Sequence, residues 1–137
     1  MATTTLHFPD IKNGWYISYF FQKFAGYDYT VKIQDSATGE NYATWYKSGS
    51  EWNSKDSNSF LYTGENGNLI CIVDCPSSSQ LDNTWAESLI VPSSGEPTLG
   101  RTYCAAFEDH GGKLEYNNLF VCLVGWKYND EPWDVSH

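Results

Sequence analysis

From Tyr27 to Gln34 apolar and polar residues alternate without a break. Tyr27, Tyr29, Val31 and Ile33 fall on one side, and Asp28, Thr30, Lys32 and Gln34 fall on the other. A two-residue period puts successive side chains on opposite faces of an extended chain, so this stretch reads as a strand with one buried and one wet face. Antiparallel sheets present such strands. The pattern recurs over residues 14–22, where Trp15, Ile17, Tyr19 and Phe21 share a side. Runs at 6–8, 42–46, 60–63, 68–73, 84–91, 102–107 and 119–126 bring the expected number of strands to about nine. Those at 68–73 and 119–126 are apolar on both faces and read as central strands, and Trp15 and Trp85 are assigned to the core.

Clusters of turn residues separate these runs, among them Lys12-Asn13-Gly14, Ser48-Gly49-Ser50, Gly64 to Gly67 and Asp109 to Gly112. No window sustains the i, i+3, i+4 apolar pattern of a helix. The expected fold is therefore all-β: a single-domain antiparallel β-sandwich, jelly-roll or Ig-like, with a closed β-barrel as the alternative. Residues 1–137 form one domain. Residues 92–100 read as a loop between sheets, and 129–137 as an acidic tail that either frays or docks through Trp133. The 6 Trp, 10 Tyr and 7 Phe supply the burial that a disordered chain lacks.

The net charge is −9 and Arg101 is the sole arginine, so the basic footprint that binds nucleic acid is missing. An anionic membrane surface would repel the chain for the same reason. No apolar stretch is long enough for a transmembrane segment. The first residues lack the basic and apolar regions of a signal peptide, so the expected location is the cytoplasm, or release without such a signal.

Cys71, Cys104 and Cys122 lie in apolar strand-like runs and read as small packed hydrophobes. Cys75, beside Pro76 in a turn, is the one expected to be reactive or paired. The Cys71-x3-Cys75 spacing lacks the second hook of a zinc site.

The richest polar and aromatic stretch is residues 42–68. It places Trp45, Tyr46, Trp52 and Tyr62 among Asn53, Asp56 and several serines. Sugars present apolar C–H faces ringed by hydroxyls, so a site for them wants an aromatic platform beside convergent amides, carboxylates and hydroxyls. Trp52 is the sharpest candidate because all its near neighbours are polar. Trp133 would supply a second lip. The expected ligand-binding set is Trp45, Tyr46, Trp52, Asn53, Asp56, Tyr62 and Trp133.

A second cluster, Glu108, Asp109 and His110 before Gly111-Gly112, reads as a solvated hairpin turn. Its carboxylates do not alternate as those of calcium loops do, so Ca²⁺ is not called for and no cofactor or metal is expected. No nucleophile elbow, metalloprotease helix or phosphate-binding loop is present, and no catalytic residue is assigned.

The function this reading favours is lectin-like binding of neutral glycans or glycoconjugates by a non-enzymatic protein. Weak single sites of this kind gain avidity by multiplication, so a homo-oligomer is expected. Size and composition have the general look of cytoplasmic lectins and defence proteins, an analogy that no motif carries. Two alternatives remain. One is a membrane-active defence protein seeking neutral lipids or glycolipids. The other is a small barrel enzyme or carrier with Tyr16, Tyr19, Tyr29, Tyr103 and Glu87 lining a cavity.

Overall fold

The computed structural model describes residues 1–91 and 98–127. Among these residues there are nine strands in two antiparallel sheets: β1 (Ala2–His7), β2 (Tyr16–Lys23), β3 (Tyr29–Asp35), β4 (Asn41–Lys47), β5 (Ser54–Leu61), β6 (Leu69–Cys75), β7 (Asp82–Ile90), β8 (Gly100–Glu108) and β9 (Leu119–Trp126). One sheet has the order β1-β6-β3-β4 and the other β5-β2-β9-β8-β7. The sheets do not close on each other, so the sandwich is realised and the barrel alternative is not. Glu87, expected inside a barrel, lies exposed on edge strand β7 and pairs with Arg101 at 3.2 Å. No helix of the described residues is long and apolar enough to cross a membrane.

The alternation seen in the sequence becomes the inner faces of the two sheets. Ile17, Tyr19 and Phe21 of β2 face Tyr29, Val31 and Ile33 of β3 across the sandwich, all of them buried. Phe21 packs against Trp45 with ring centroids 5.6 Å apart and against Tyr19 at 4.9 Å, distances at which aromatic rings attract beyond simple area burial. Trp15 is buried as expected. Trp85 is more than a third exposed, because it sits on edge strand β7 with its ring over Phe8 and Tyr103.

Most boundaries move by one or two residues, and two strands start well before the runs expected for them. β1 begins at Ala2, because the run Thr3–Thr5 pairs with β6 despite having few apolar residues. β5 covers Ser54–Leu61, where the expected strand was 60–63. It is an edge strand paired only with β2, exposed almost throughout, so no apolar alternation marks it.

With nine strands running up and down, the connections alternate between two ends. The loops β2–β3 (24–28), β4–β5 (48–53), β6–β7 (76–81) and β8–β9 (109–118) gather at one end. The loops β1–β2 (8–15), β3–β4 (36–40) and β5–β6 (62–68) lie at the other.

Gly125 interrupts the apolar run of β9 for a steric reason. A Cβ there would press on Cδ1 of Ile11, with Trp15 Cε3 at 3.1 Å and Ile17 Cδ1 at 3.3 Å. Gly125→Ala is therefore expected to lower stability by about 1–3 kcal/mol through overpacking. Urea unfolding of the two proteins, with an unchanged slope and a lower midpoint, checks this.

Candidate functional site

At the four-loop end a cleft of about 300 Å³ opens between the β2–β3 turn and the β8–β9 loop. Phe24, Ala25, Gly26 and Tyr27 form one wall, and Asp109, Gly111, Lys113, Glu115, Asn117 and Asn118 belong to the other.

The β8–β9 loop is built around two buried carboxylates. Glu108, fully buried, accepts hydrogen bonds from the backbone amides of His110 (2.8 Å), Glu115 (2.8 Å) and Tyr116 (3.3 Å). Burial alone would raise its pKa, but those three amides outweigh it and hold the carboxyl below its usual range. Asp109, also buried, accepts from the Tyr29 hydroxyl at 2.8 Å and from the Gly111 amide at 3.0 Å. Burial, and then that bond to Asp109, push the Tyr29 phenol well above its ordinary value. The Asp109 backbone donates to Asn118 Oδ1 at 2.9 Å and accepts from Ser78 Oγ at 2.6 Å, which ties in the β6–β7 loop.

The solvated turn expected at 108–112 is therefore corrected to an internally anchored loop. His110 and Tyr116 adopt left-handed backbone conformations at φ 59° and 51°. Each costs about 1–2 kcal/mol for a residue with a side chain, and the bonds to Glu108 offset this. His110 Nε2 lies 2.7 Å from Asp82 Oδ2, so the imidazole is engaged by β7 and not by neighbouring Asp109.

The opposite wall rests on Lys23. Its buried ammonium donates to the carbonyls of Ala25 (2.6 Å), Ser48 (2.9 Å) and Glu51 (3.3 Å). All three N–H groups are thus used, and one cation fastens the β4–β5 loop to the β2–β3 turn. Asp28 adds to the join, accepting from the Gly49 amide at 2.7 Å and from the Tyr46 hydroxyl at 3.3 Å. Gly49 lies so close to the Gly26 carbonyl that no Cβ would fit. Gly111 likewise leaves room for the Tyr27 ring, since a Cβ there would sit 3.0 Å from its carbons.

The residues singled out in the sequence divide among three places. Tyr46 (55% exposed), Trp52 (59% exposed), Asn53 and Asp56 lie exposed along the end of β4, the β4–β5 loop and the start of β5, the same end as the cleft. They do not line the cleft itself. Trp45 and Tyr62 are buried in the core, Trp45 against Phe21 and Tyr62 with its hydroxyl donating to the Glu65 carbonyl at 2.6 Å. Their rings offer no surface to a ligand. Trp133 lies outside the described residues.

Lys23, Tyr27, Asn117 and Asn118 escaped the sequence reading. Lys23 falls just past the run expected at 14–22 and Tyr27 opens the run expected from 27, whereas Lys23 ends β2 and Tyr27 sits half-buried in the turn before β3. The pair Asn117-Asn118 directly before the apolar run of β9 was the available signal.

At the other end an open depression of about 450 Å³ is lined by Asn13, Thr63, Gly64, Glu65 and Asn66. Its amides bond to each other's backbone, Asn13 Nδ2 to the Gly64 carbonyl at 2.9 Å and the Asn13 amide to Asn66 Oδ1 at 2.9 Å. Those groups are turned inward to hold the turn. Among the described residues, no three His, Cys, Asp or Glu side chains gather to hold a metal ion.

The cysteines also sort differently from expectation. Cys75 is buried with its thiol pushed up to about 11, chiefly by that burial, and is neither exposed nor paired. Cys71 is buried in the core as expected. Cys104 is exposed and Cys122 half-buried on the outer face of the five-stranded sheet.

Neither a family model nor a curated protein sequence matches the chain. Solved structures do. The chain is similar to a high-affinity mannose-binding lectin of Ralstonia solanacearum, with 15% identity and a TM-score of 0.58 over 91% of this chain and 96% of that one. It is similar to the C-terminal domain of the BC2L-C lectin of Burkholderia cenocepacia, with 15% identity and a TM-score of 0.60 over 90% and 100%. A third likeness is to the Chromobacterium violaceum lectin CV2L, solved with alpha-methyl-fucoside, at 13% identity and a TM-score of 0.51 over 91% and 96%. At such identities the likeness establishes the fold: this chain has the β-sandwich found in these lectins.

Two outcomes follow from the site's geometry. Replacing Lys23 by Met leaves three carbonyls without their donor and is expected to cost about 2–4 kcal/mol, read as a lower urea midpoint. A carboxyl whose folded pKa is depressed stabilises the fold above its unfolded pKa, about 4.3, and that contribution is lost as pH falls through the folded value. Stability should therefore decline below about pH 4, and Glu108→Gln should flatten the decline in a pH series of thermal melts.

Proposed function

We propose that this protein is a lectin that binds neutral glycans in the cleft between the β2–β3 turn and the β8–β9 loop. The observation that carries the reading is the construction of that cleft. Buried Glu108, Asp109 and Lys23 fix its walls before any ligand arrives, while Tyr27 and the amides of Asn117 and Asn118 border the opening. A sugar needs an apolar surface for its C–H face and rigid, convergent polar groups for its hydroxyls, and pre-ordering the walls lowers the entropic cost of binding. The likeness in fold to a mannose-binding lectin and to a lectin solved with alpha-methyl-fucoside supports a monosaccharide-sized ligand of the same neutral class. The net charge of −9 disfavours sialylated or sulfated glycans.

Exposed Tyr46, Trp52, Asn53 and Asp56 at the same end would extend the site toward a second sugar residue. Binding alone is proposed, without a reaction. A homo-oligomer would multiply a weak single site into useful avidity.

A glycan array with labelled protein, followed by competition with soluble methyl glycosides, tests this. Selective binding, competed by a neutral monosaccharide and weakened at least about tenfold by Asn117→Ala or Tyr27→Ala, is expected. Trp52→Ala should weaken only oligosaccharides. A blank array with folded protein would overturn the reading, and sedimentation with neutral vesicles would then test the membrane-active alternative.

A further inference from the structure

β8 and β9 are neighbours in the five-stranded sheet, and their register sets Cys104 directly opposite Cys122. Tyr103 and Ala105 on one strand and Val121 and Leu123 on the other face the core, so both thiols point to the outer face. There Cys104 Sγ donates to Cys122 Sγ at 3.2 Å. Directly opposed residues of an antiparallel pair have Cα atoms about 4.5 or 5.5 Å apart, and either value lies inside the window that a disulfide spans. The sulfurs therefore need only a small rotation about their side-chain bonds, with no backbone movement.

The surroundings make the pair accessible. An apolar groove of about 470 Å³ runs over this face, bordered by Trp85, Ala86, Ala106 and Phe120, and both cysteines line it. Cys71 and Cys75 are both fully buried, so neither competes for a reagent in solution.

We propose that Cys104 and Cys122 form a redox-active dithiol site, oxidised to an intramolecular disulfide by low-molecular-weight disulfides. In the first step the exposed Cys104 thiolate attacks one sulfur of RSSR. An S–S bond forms between Cys104 and one RS group, and the other leaves as RS⁻, taking the proton Cys104 gave up. Cys122 then loses its proton and attacks Cys104 Sγ, expelling the second RS⁻, which takes that proton. The two protein thiols lose two electrons and two protons, and RSSR becomes two RSH. Burial, and then the contact with Cys104, push the Cys122 thiol up to about 12, which fits the second, resolving role.

The covalent loop so closed contains the whole β8–β9 connection, residues 109–118. Oxidation would restrict that segment in the unfolded chain and stabilise the fold around it. The site stands independently of the sugar-binding reading.

Reduced protein is incubated with oxidised glutathione, quenched by alkylation and examined by intact mass and peptide mapping. The expected product has lost about 2 Da and carries a single link between the peptides of Cys104 and Cys122. Cys122→Ser should stop at one glutathione attached to Cys104, and the oxidised wild type should melt roughly 5–10 °C above the reduced form. Wild-type protein that stays reduced, keeps glutathione attached, or links through Cys71, Cys75 or a second chain would overturn the proposal. Equal melting of the two forms would overturn the stabilising role.

Discussion

The four-loop end of this sandwich depends on burying charge without exposing the backbone groups around it to unmet demand. Lys23, Glu108 and Asp109 are all taken out of water, and each is surrounded by groups of the chain itself. A charge moved from water into a protein interior is costly unless every hydrogen-bonding position is used. Lys23 uses its three donors on carbonyls of two loops. Glu108 gathers three amides of a third loop, and Asp109 holds the Tyr29 hydroxyl and the Gly111 amide. Loops that would otherwise be mobile connections become the fixed walls of a cleft.

That organisation sets the two ends apart. Asp35 at the far end is buried as well, but it caps only its own turn, accepting from the amides of Ala37 and Thr38. No comparable set of buried charges ties the loops there to one another among the described residues. The far depression is shaped by side chains that satisfy neighbouring backbone, whereas the near cleft is shaped by groups beneath its surface. Lys113, Glu115 and Asn117 at the near end stay exposed, while Asn118 accepts from the Asp109 amide.

The strands were legible in the sequence because they obey the two-residue rule. Ile17, Tyr19 and Phe21, and Tyr29, Val31 and Ile33, stand where their alternation places them. Strand β5 was not legible, since an exposed edge imposes no apolar pattern on Ser54 to Ser59. The site was legible only in part. Exposure of Trp52 followed from its polar neighbours, but Trp45 and Tyr62 sit one strand position or one turn away from similar polar residues and are buried. Composition cannot separate those cases, because strand parity and core geometry decide them. Nor could it show that Lys23 and Asp109, far apart in sequence, would converge on one cleft. That convergence follows from the up-and-down path of nine strands, which returns alternate loops to the same end.

The central claim is that sugar binds at the loops 24–28 and 109–118. Titrating isotope-labelled protein with methyl α-mannoside and methyl α-fucoside while recording amide chemical shifts tests it most directly. The account requires saturable shifts concentrated on Tyr27, Gly111, Asn117 and Asn118, with those of Asn13 and Gly64 to Asn66 unchanged. Shifts centred on that far depression, or none with either glycoside at millimolar concentration, would contradict it.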